Sequence, residues 1–230
     1  MKPYFTDSSG DVVLYHGDSR EVLGCLADEA AQLIVTDPPY SMTYTNEAGK
    51  GLRGDAQRQG IRLYRSCLME LDRVLAPNSH VYSFCHWESW PDFYDAVASY
   101  WNTKNALIWS KGNFGPGDCE GDYAHDYEMI LFAHKGRRLL NGGRDLAVRE
   151  HATVSGHQRT HPTEKPSSLL EFLIGKSSMP GETVLDPFCG TGSTLRAAKD
   201  LGRKAIGIEV HEQFCEAAAR RLQQEALPYG

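Results

Sequence analysis

The octapeptide Leu33-Ile34-Val35-Thr36-Asp37-Pro38-Pro39-Tyr40 constrains this chain more than any other stretch. Leu33 to Val35 is an apolar run of the kind that forms a buried strand, and it stops abruptly at a carboxylate, two prolines and an aromatic ring. Proline fixes its own φ and biases the residue before it away from the helical region, so the chain must leave the sheet in a stiff extended turn. Neither proline has an amide to donate, yet both keep their carbonyls. The Asp37 carboxylate and the Pro38 carbonyl therefore stand as two fixed acceptors beside the Tyr40 ring, a receptor for a planar group bearing NH2.

Strand and helix patterns alternate on either side of that stop. Asp11 to His16 reads as a strand closing at Gly17-Asp18, with Ser19 as N-cap of a helix through Ala30. Residues 41–60 have no apolar period and are expected to form a long loop. Ile61, Tyr64, Leu68, Leu71 and Leu75 restore helical spacing, Pro77-Asn78 stops it, and His80 to Cys85 predicts the next strand. Ser89 with Pro91 opens a helix through Tyr100, and Asn105 to Trp109 and Tyr127 to Ala133 are two strands expected to pair as an antiparallel edge. Residues 135–160 are basic and glycine-punctuated, an insert without a core of its own.

Pro166 is expected as the first residue of a helix ending near Lys176. Glu182 to Leu185 is a short strand ending at Asp186-Pro187, followed by a glycine turn and a helix that closes at Gly202. Lys204 to Ile208 is the last strand, ending at Glu209, and a final amphipathic helix carries Phe214, Ala218 and Leu222. This order implies an α/β fold around a mostly parallel sheet.

Four candidate strands end in acids, Asp18, Asp37, Asp186 and Glu209. Taken singly, each would be read as a turn former or helix cap. At the carboxyl edge of an open α/β sheet, where ligands bind, four acids instead converge on one site. The Gly190-Thr191-Gly192 turn lets a ligand approach the backbone, but the third glycine of a dinucleotide turn and the lysine of a P-loop are both missing. An acid directly before such a turn repels phosphate and suits a cation. Glu209 stands where a ribose-binding acid belongs, so the ligand implied is a nucleoside with a positive charge and no phosphate.

Asp37-Pro38-Pro39-Tyr40 together with Asp186-Pro187-Phe188-Cys189-Gly190-Thr191-Gly192-Ser193-Thr194 resembles the catalytic and cofactor motifs of the S-adenosylmethionine-dependent DNA methyltransferases that act on exocyclic amino groups. The catalytic motif comes first, which resembles the permuted beta class of that family. His161-Pro162-Thr163-Glu164-Lys165-Pro166 resembles a further cofactor motif, and Gly17-Asp18 the acid that meets the cofactor's adenine. The resemblance covers nearly the whole chain. It implies a Rossmann-like methyltransferase fold with a mostly parallel, circularly permuted sheet and an antiparallel edge strand, residues 1–230 forming one catalytic domain.

The cofactor implied is S-adenosylmethionine. By the resemblance, Asp186 and the turn through Pro187, Phe188, Cys189, Gly190, Gly192 and Thr194 lie at its methionine end. Glu209 takes the ribose hydroxyls and Asp18 the adenine amine, while Thr163 and Lys165 close the pocket; a solvated lysine at a helix start is the other reading of Lys165. The catalytic residues implied are Asp37, Pro38, Pro39 and Tyr40. An adenine amine must pyramidalise to attack a methyl group, and the Asp37 and Pro38 oxygens would accept its two hydrogens. A base stacked in a duplex must be flipped out to reach such a pocket, where Tyr40 would stack on it. Phe84, Trp87, Trp90 and Trp109 are either the pocket's other wall or core.

The expected activity is N6-adenine methylation of double-stranded DNA, because Asp precedes Pro38 where cytosine enzymes often resemble Ser-Pro-Pro. N4-cytosine methylation is the alternative, followed by an RNA methyltransferase and a non-catalytic DNA-binding subunit. The net charge of −6 conceals two basic islands, in residues 49–65 and 135–159, expected to contact phosphates. The loop 41–60 and the insert 135–160 are thus the expected DNA contacts. The insert is short for target recognition, which implies a short site or a second protomer, hence a possible homodimer. Six scattered cysteines without metal-like spacing predict reduced thiols, no metal and a cytoplasmic location. No signal peptide or membrane span is expected.

Overall fold

The computed structural model describes residues 1–39, 53–112, 120, 121, 123–153 and 164–224, with 53–58 as backbone. Tyr40, Thr163 and most of the 41–60 segment lie outside the described residues. In chain order the elements are β1 (Phe5–Thr6), β2 (Val12–His16), α1 (Ser19–Cys25), β3 (Ala31–Thr36), α2 (Arg53–Val74), β4 (Leu75–Cys85), a 3-10 turn (Trp87–Ser89) and α3 (Trp90–Ala98). There follow β5 (Asn102–Ser110), β6 (Tyr127–Lys135), β7 (Val148–Glu150), α4 (Ser167–Ser177), β8 (Thr183–Asp186), α5 (Ser193–Asp200), β9 (Lys204–Glu209) and α6 (Glu212–Gln223).

The strands form one sheet in the order β1-β2-β9-β8-β3-β4-β6-β5-β7. From β2 to β4 all pairings are parallel, and β6 runs antiparallel to both β4 and β5. The anticipated pairing of β5 with β6 is therefore present, but the reversed strand lies inside the sheet, with β5 and β7 beyond it. The antiparallel edge itself is β1, two residues paired to β2.

Leu33, Ile34 and Val35 are fully buried, because β3 is central and covered on both faces. Leu33 and Val35 join the apolar layer under α4, α5 and α6, while Ile34 points into the opposite layer under α1, α2 and α3. After β3 the chain crosses through α2 to β4, and after β8 it crosses through α5 to β9 on the other side. The β3–β8 boundary is thus where strand order reverses, and a crevice opens outside the carboxyl ends of these two strands.

Four local expectations need correction. The helix before β4 begins at Arg53, so residues 53–60 are helical and not loop; this first stretch has no apolar residue larger than Ala56 and leaves no apolar period to read. Asp18, not Ser19, caps α1 by accepting from the Arg20 amide at 2.9 Å, and the helix ends at Cys25. Pro166 is likewise the cap of α4, with extended ψ, and Ser167 its first helical residue. β4 begins at Leu75, before Pro77: its register with β3 jumps from Leu75 to His80, a bulge that accommodates the proline.

The basic islands are also partly spent within the molecule. Arg138 pairs with Glu182 at 2.6 Å, Arg149 lies 4.2 Å above the Phe172 ring, and Arg65 donates to the Asp92 carbonyl at 3.2 Å. The segment after β6 packs on the end of α4, where Asn141 donates to Gly175 and Ser178 carbonyls at 2.9 and 2.8 Å. Part of the insert is therefore a clasp on the fold, and its short β7 pairs with β5.

Candidate active site

Asp37 leaves the carboxyl end of β3, and Lys165, just before α4, reaches it from the α4 side of the sheet. The Lys165 ammonium lies 2.7 Å from Asp37 Oδ2 and 2.9 Å from Glu128 Oε2, and 5.0 Å over the Phe84 ring. Lys165 is only 6% exposed, which excludes the solvated-lysine reading: an ammonium this deep requires paired anions. Glu128 comes from β6, and its second oxygen takes Lys111 at 2.9 Å. Burial pushes the Glu128 carboxyl up, but Lys165 and Lys111 outweigh burial and hold it below its ordinary range.

At the end of the neighbouring strand, Asp186 is buried as well, 3% exposed. Its Oδ1 accepts from the Phe188 amide at 3.1 Å, and the Thr194 hydroxyl lies against it. Burial pushes this carboxyl up to about 7; the Asp37 charge adds to the rise, while the hydrogen bonds oppose it. Among the described residues no cation is paired with it. The turn that follows is fixed by Cys189 N donating to Ile208 O at 3.0 Å and by the Ser19 hydroxyl donating to Pro187 O at 2.5 Å.

The two glycines of that turn do different work. A Cβ on Gly192 would sit 2.9 Å from Ala218 Cβ of α6, so this glycine permits the helix to pack. A Cβ on Gly190 would meet nothing within 4 Å; the open side of the turn faces a crevice. Cys189 is buried and its thiol is pushed well up by burial, so it lines the turn as an inert side chain.

Glu209 closes β9. Its Oε2 accepts from the Gly190 amide at 3.0 Å and its Oε1 from the His211 amide at 2.8 Å, which fixes the carboxylate plane while leaving lone pairs directed outward. A cavity of about 400 Å³ lies in front of it, bounded by Asp18, Phe188, Gly190, Glu209, His211 and Phe214 among others. Asp18 is at this wall, where it both caps α1 and pairs with Arg20. A second cavity of about 120 Å³ is lined by Asp186, Lys165, Thr191, Ser193 and Thr194. Asp37, Phe188 and Gly190 border both.

Thus Asp18, Asp37, Asp186 and Glu209 are brought to one crevice, with Pro39, Pro187, Phe188, Cys189, Gly190, Thr194 and Lys165 around it. Gly192 stands behind the turn. Glu128, Arg20, His211 and Phe214 were not anticipated. Phe214 reads as part of the buried stripe of the last helix, yet only Cys215, Ala218 and Leu222 are fully buried there; its place in the first turn after Glu209 was the available signal. Of the aromatic candidates, Phe84 and Trp109 are core, and Trp109 donates to the His151 carbonyl at 2.7 Å. Trp87 is 46% exposed.

The cavities fit a nucleoside carrying a cation: a larger chamber with a fixed hydroxyl acceptor, and a smaller one with a buried carboxyl awaiting positive charge. No group of three or more His, Cys, Asp or Glu among the described residues is arranged to hold a metal ion. No described helix is long and apolar enough to cross a membrane.

This fold and crevice define a Rossmann-like methyltransferase with a permuted, mostly parallel sheet. The chain belongs to the DNA methylase family that modifies N6 of adenine or N4 of cytosine, whose pattern matches residues 31–220, and whose cofactor is S-adenosylmethionine. It is 34% identical over 223 residues to YubD of Escherichia coli (strain K12), covering 93% of this chain and 92% of that one. It is 28% identical over 247 residues to the DNA adenine methyltransferase YhdJ of the same strain, covering 91% and 82%. Among solved structures, the M1.HpyAVI–SAM complex superposes with a TM-score of 0.74 at 25% identity, covering 93% of this chain and all of that one.

Proposed function

We propose that this chain, acting as one catalytic unit, transfers a methyl group to the N6 amine of adenine in double-stranded DNA, with the target base turned out of the helix. The observation that carries the proposal is the Asp37–Lys165 ion pair at 2.7 Å on the rim shared by the two cavities. S-adenosylmethionine supplies an electrophilic methyl group when bound. Asp186 is suited to face its positive amino-acid end, Glu209 its ribose hydroxyls and Asp18 its adenine amine, with Phe188 and Phe214 as apolar walls.

Asp37 and the Pro38 carbonyl then accept the hydrogens of the target amine. Its nitrogen lone pair is delocalised into the ring, and attack requires it to localise; acceptors fixed on strand ends favour that geometry without reorganising. Tyr40, which follows Pro39 in sequence, is assigned to stack on the flipped base, and Thr163 to help close the cofactor end. The Asp before Pro38 and the kinship with an adenine enzyme support adenine over cytosine.

Incubating the protein with unmethylated duplex DNA and S-adenosylmethionine, then digesting to nucleosides for mass spectrometry, tests this reading. N6-methyladenine is expected. N4-methylcytosine would overturn the base assignment while keeping the acceptor pair, and methylation of RNA alone would overturn the substrate.

A further inference from the structure

Glu128 lies outside the motifs that define the site, yet it contacts the ion pair at the site's centre. It sits on β6, which is held by β4 on one side and β5 on the other, opposite Trp109 in the β5 register. Further along the strand Ile130 and Leu131 are buried and apolar, and the sheet pairing itself does not call for an acid at 128. A buried carboxylate is costly, and an apolar residue would serve the sheet as well or better. What the acid does is bind two lysines: Lys111 at 2.9 Å on Oε1 and Lys165 at 2.9 Å on Oε2. Lys111 is itself anchored, its amide donating to the Asp126 carbonyl at 2.7 Å. The charges along Lys111, Glu128, Lys165 and Asp37 alternate.

We propose that Glu128 is a positioning residue for methyl transfer: from a rigid interior strand it holds the Lys165 ammonium against one oxygen of Asp37, so that the acceptor carboxylate keeps one orientation toward the target amine. The inference rests on the assignment of Asp37 as acceptor. Lys165 has a long flexible stem and an ammonium with three protons to place. With Asp37 as its sole anion it would follow any movement of that carboxylate. Fixed by Glu128 and the Phe84 face, it acts as an anchor. The two lysines keep Glu128 charged, as its depressed carboxyl indicates.

The test compares E128Q and E128D with wild type, measuring kcat at saturating DNA and cofactor, the Kd for S-adenosylmethionine, and Tm, with D37N in parallel. In E128Q, kcat is expected to fall about 10- to 100-fold, the cost of a misplaced reacting group. Cofactor Kd should stay within about threefold, because this account gives Glu128 no part in ground-state binding. E128D, which keeps the charge, should recover part of kcat. Wild-type kcat in E128Q beside an inactive D37N would overturn this inference alone. A joint fall of kcat, affinity and Tm without recovery in E128D would assign Glu128 to the fold and overturn it too. An active D37N would overturn the reading of the site beneath it.

Discussion

Two adjacent parallel strands, β3 and β8, each end in Asp-Pro, and their carboxyl groups are in opposite electrostatic states. Asp37 is met by Lys165 at 2.7 Å, whereas Asp186 has no cationic partner among the described residues and burial pushes it up to about 7. The same dipeptide at the same sheet edge has thus been given its counter-charge in one case and left to wait for one in the other. The lesson is that a strand-end acid is defined by what the covering helices bring to it. At Asp37 the fold supplies the ammonium; at Asp186 the proposed cofactor would.

The sharpest way to break this contrast is to remove the built-in cation. Lys165→Met takes the ammonium from half-buried Asp37 and from one oxygen of Glu128, which keeps Lys111 on the other, and the expected loss of stability is about 3 kcal/mol, the low end of the usual result of halving a buried pair. Urea denaturation at pH 8 checks this, and a change below about 1 kcal/mol would mean that the pair is solvated.

The same measurement on Asp186→Asn should give the opposite sign. Asp186 titrates near 3.8 when unfolded and about 7 when folded, so its contribution is fully present below pH 3.8 and is lost as pH rises through 7. Asparagine carries no such penalty. The variant should therefore gain on the order of 2–4 kcal/mol relative to wild type between acid pH and pH 8, since one pK unit corresponds to about 1.4 kcal/mol. A relative loss at pH 8 would contradict the raised carboxyl.

A smaller effect follows for cofactor binding. A cation favours the ionised Asp186, so below about pH 7 binding must release a proton. Affinity should then rise up to about tenfold per pH unit on the acid side and level off above neutrality. Calorimetry in buffers of different ionisation heat would detect the proton; a flat profile in wild type would remove Asp186 from the cation's neighbourhood. The smallest effect contrasts the two glycines. Gly192→Ala, at φ 80° and 2.9 Å from Ala218 Cβ, should cost about 1–3 kcal/mol of stability. Gly190→Ala should cost only backbone strain of about 1 kcal/mol and weaken the cofactor more than the fold.

Much of this is legible in the sequence. β3, β8 and β9 show themselves as short apolar runs ending in acids, and their parallel arrangement gathers those acids without further information. Other features leave little trace in sequence. β1 is two residues defined by its pairing to β2, and the sequence of the first turns of α2 holds no apolar residue larger than Ala56. The position of β6 inside the sheet depends on how hairpin and crossover lie together, which local pattern does not encode. Glu128 was missed because an acid beside apolar residues in a strand reads as its solvent face; here that position is covered by Lys165 arriving from a segment 37 residues later. Lys165 itself was found through its motif, and its partner only through space.

The division of labour proposed for the two Asp-Pro turns is tested most directly by comparing Asp37→Asn with Asp186→Asn in single-turnover methyl transfer and in S-adenosylmethionine affinity. Asp37→Asn should bind cofactor like wild type and lose transfer by about 100-fold or more. Asp186→Asn should bind cofactor weakly yet recover substantial transfer when cofactor is saturating. Exchange of these two phenotypes, or equal loss of binding in both, would contradict the account.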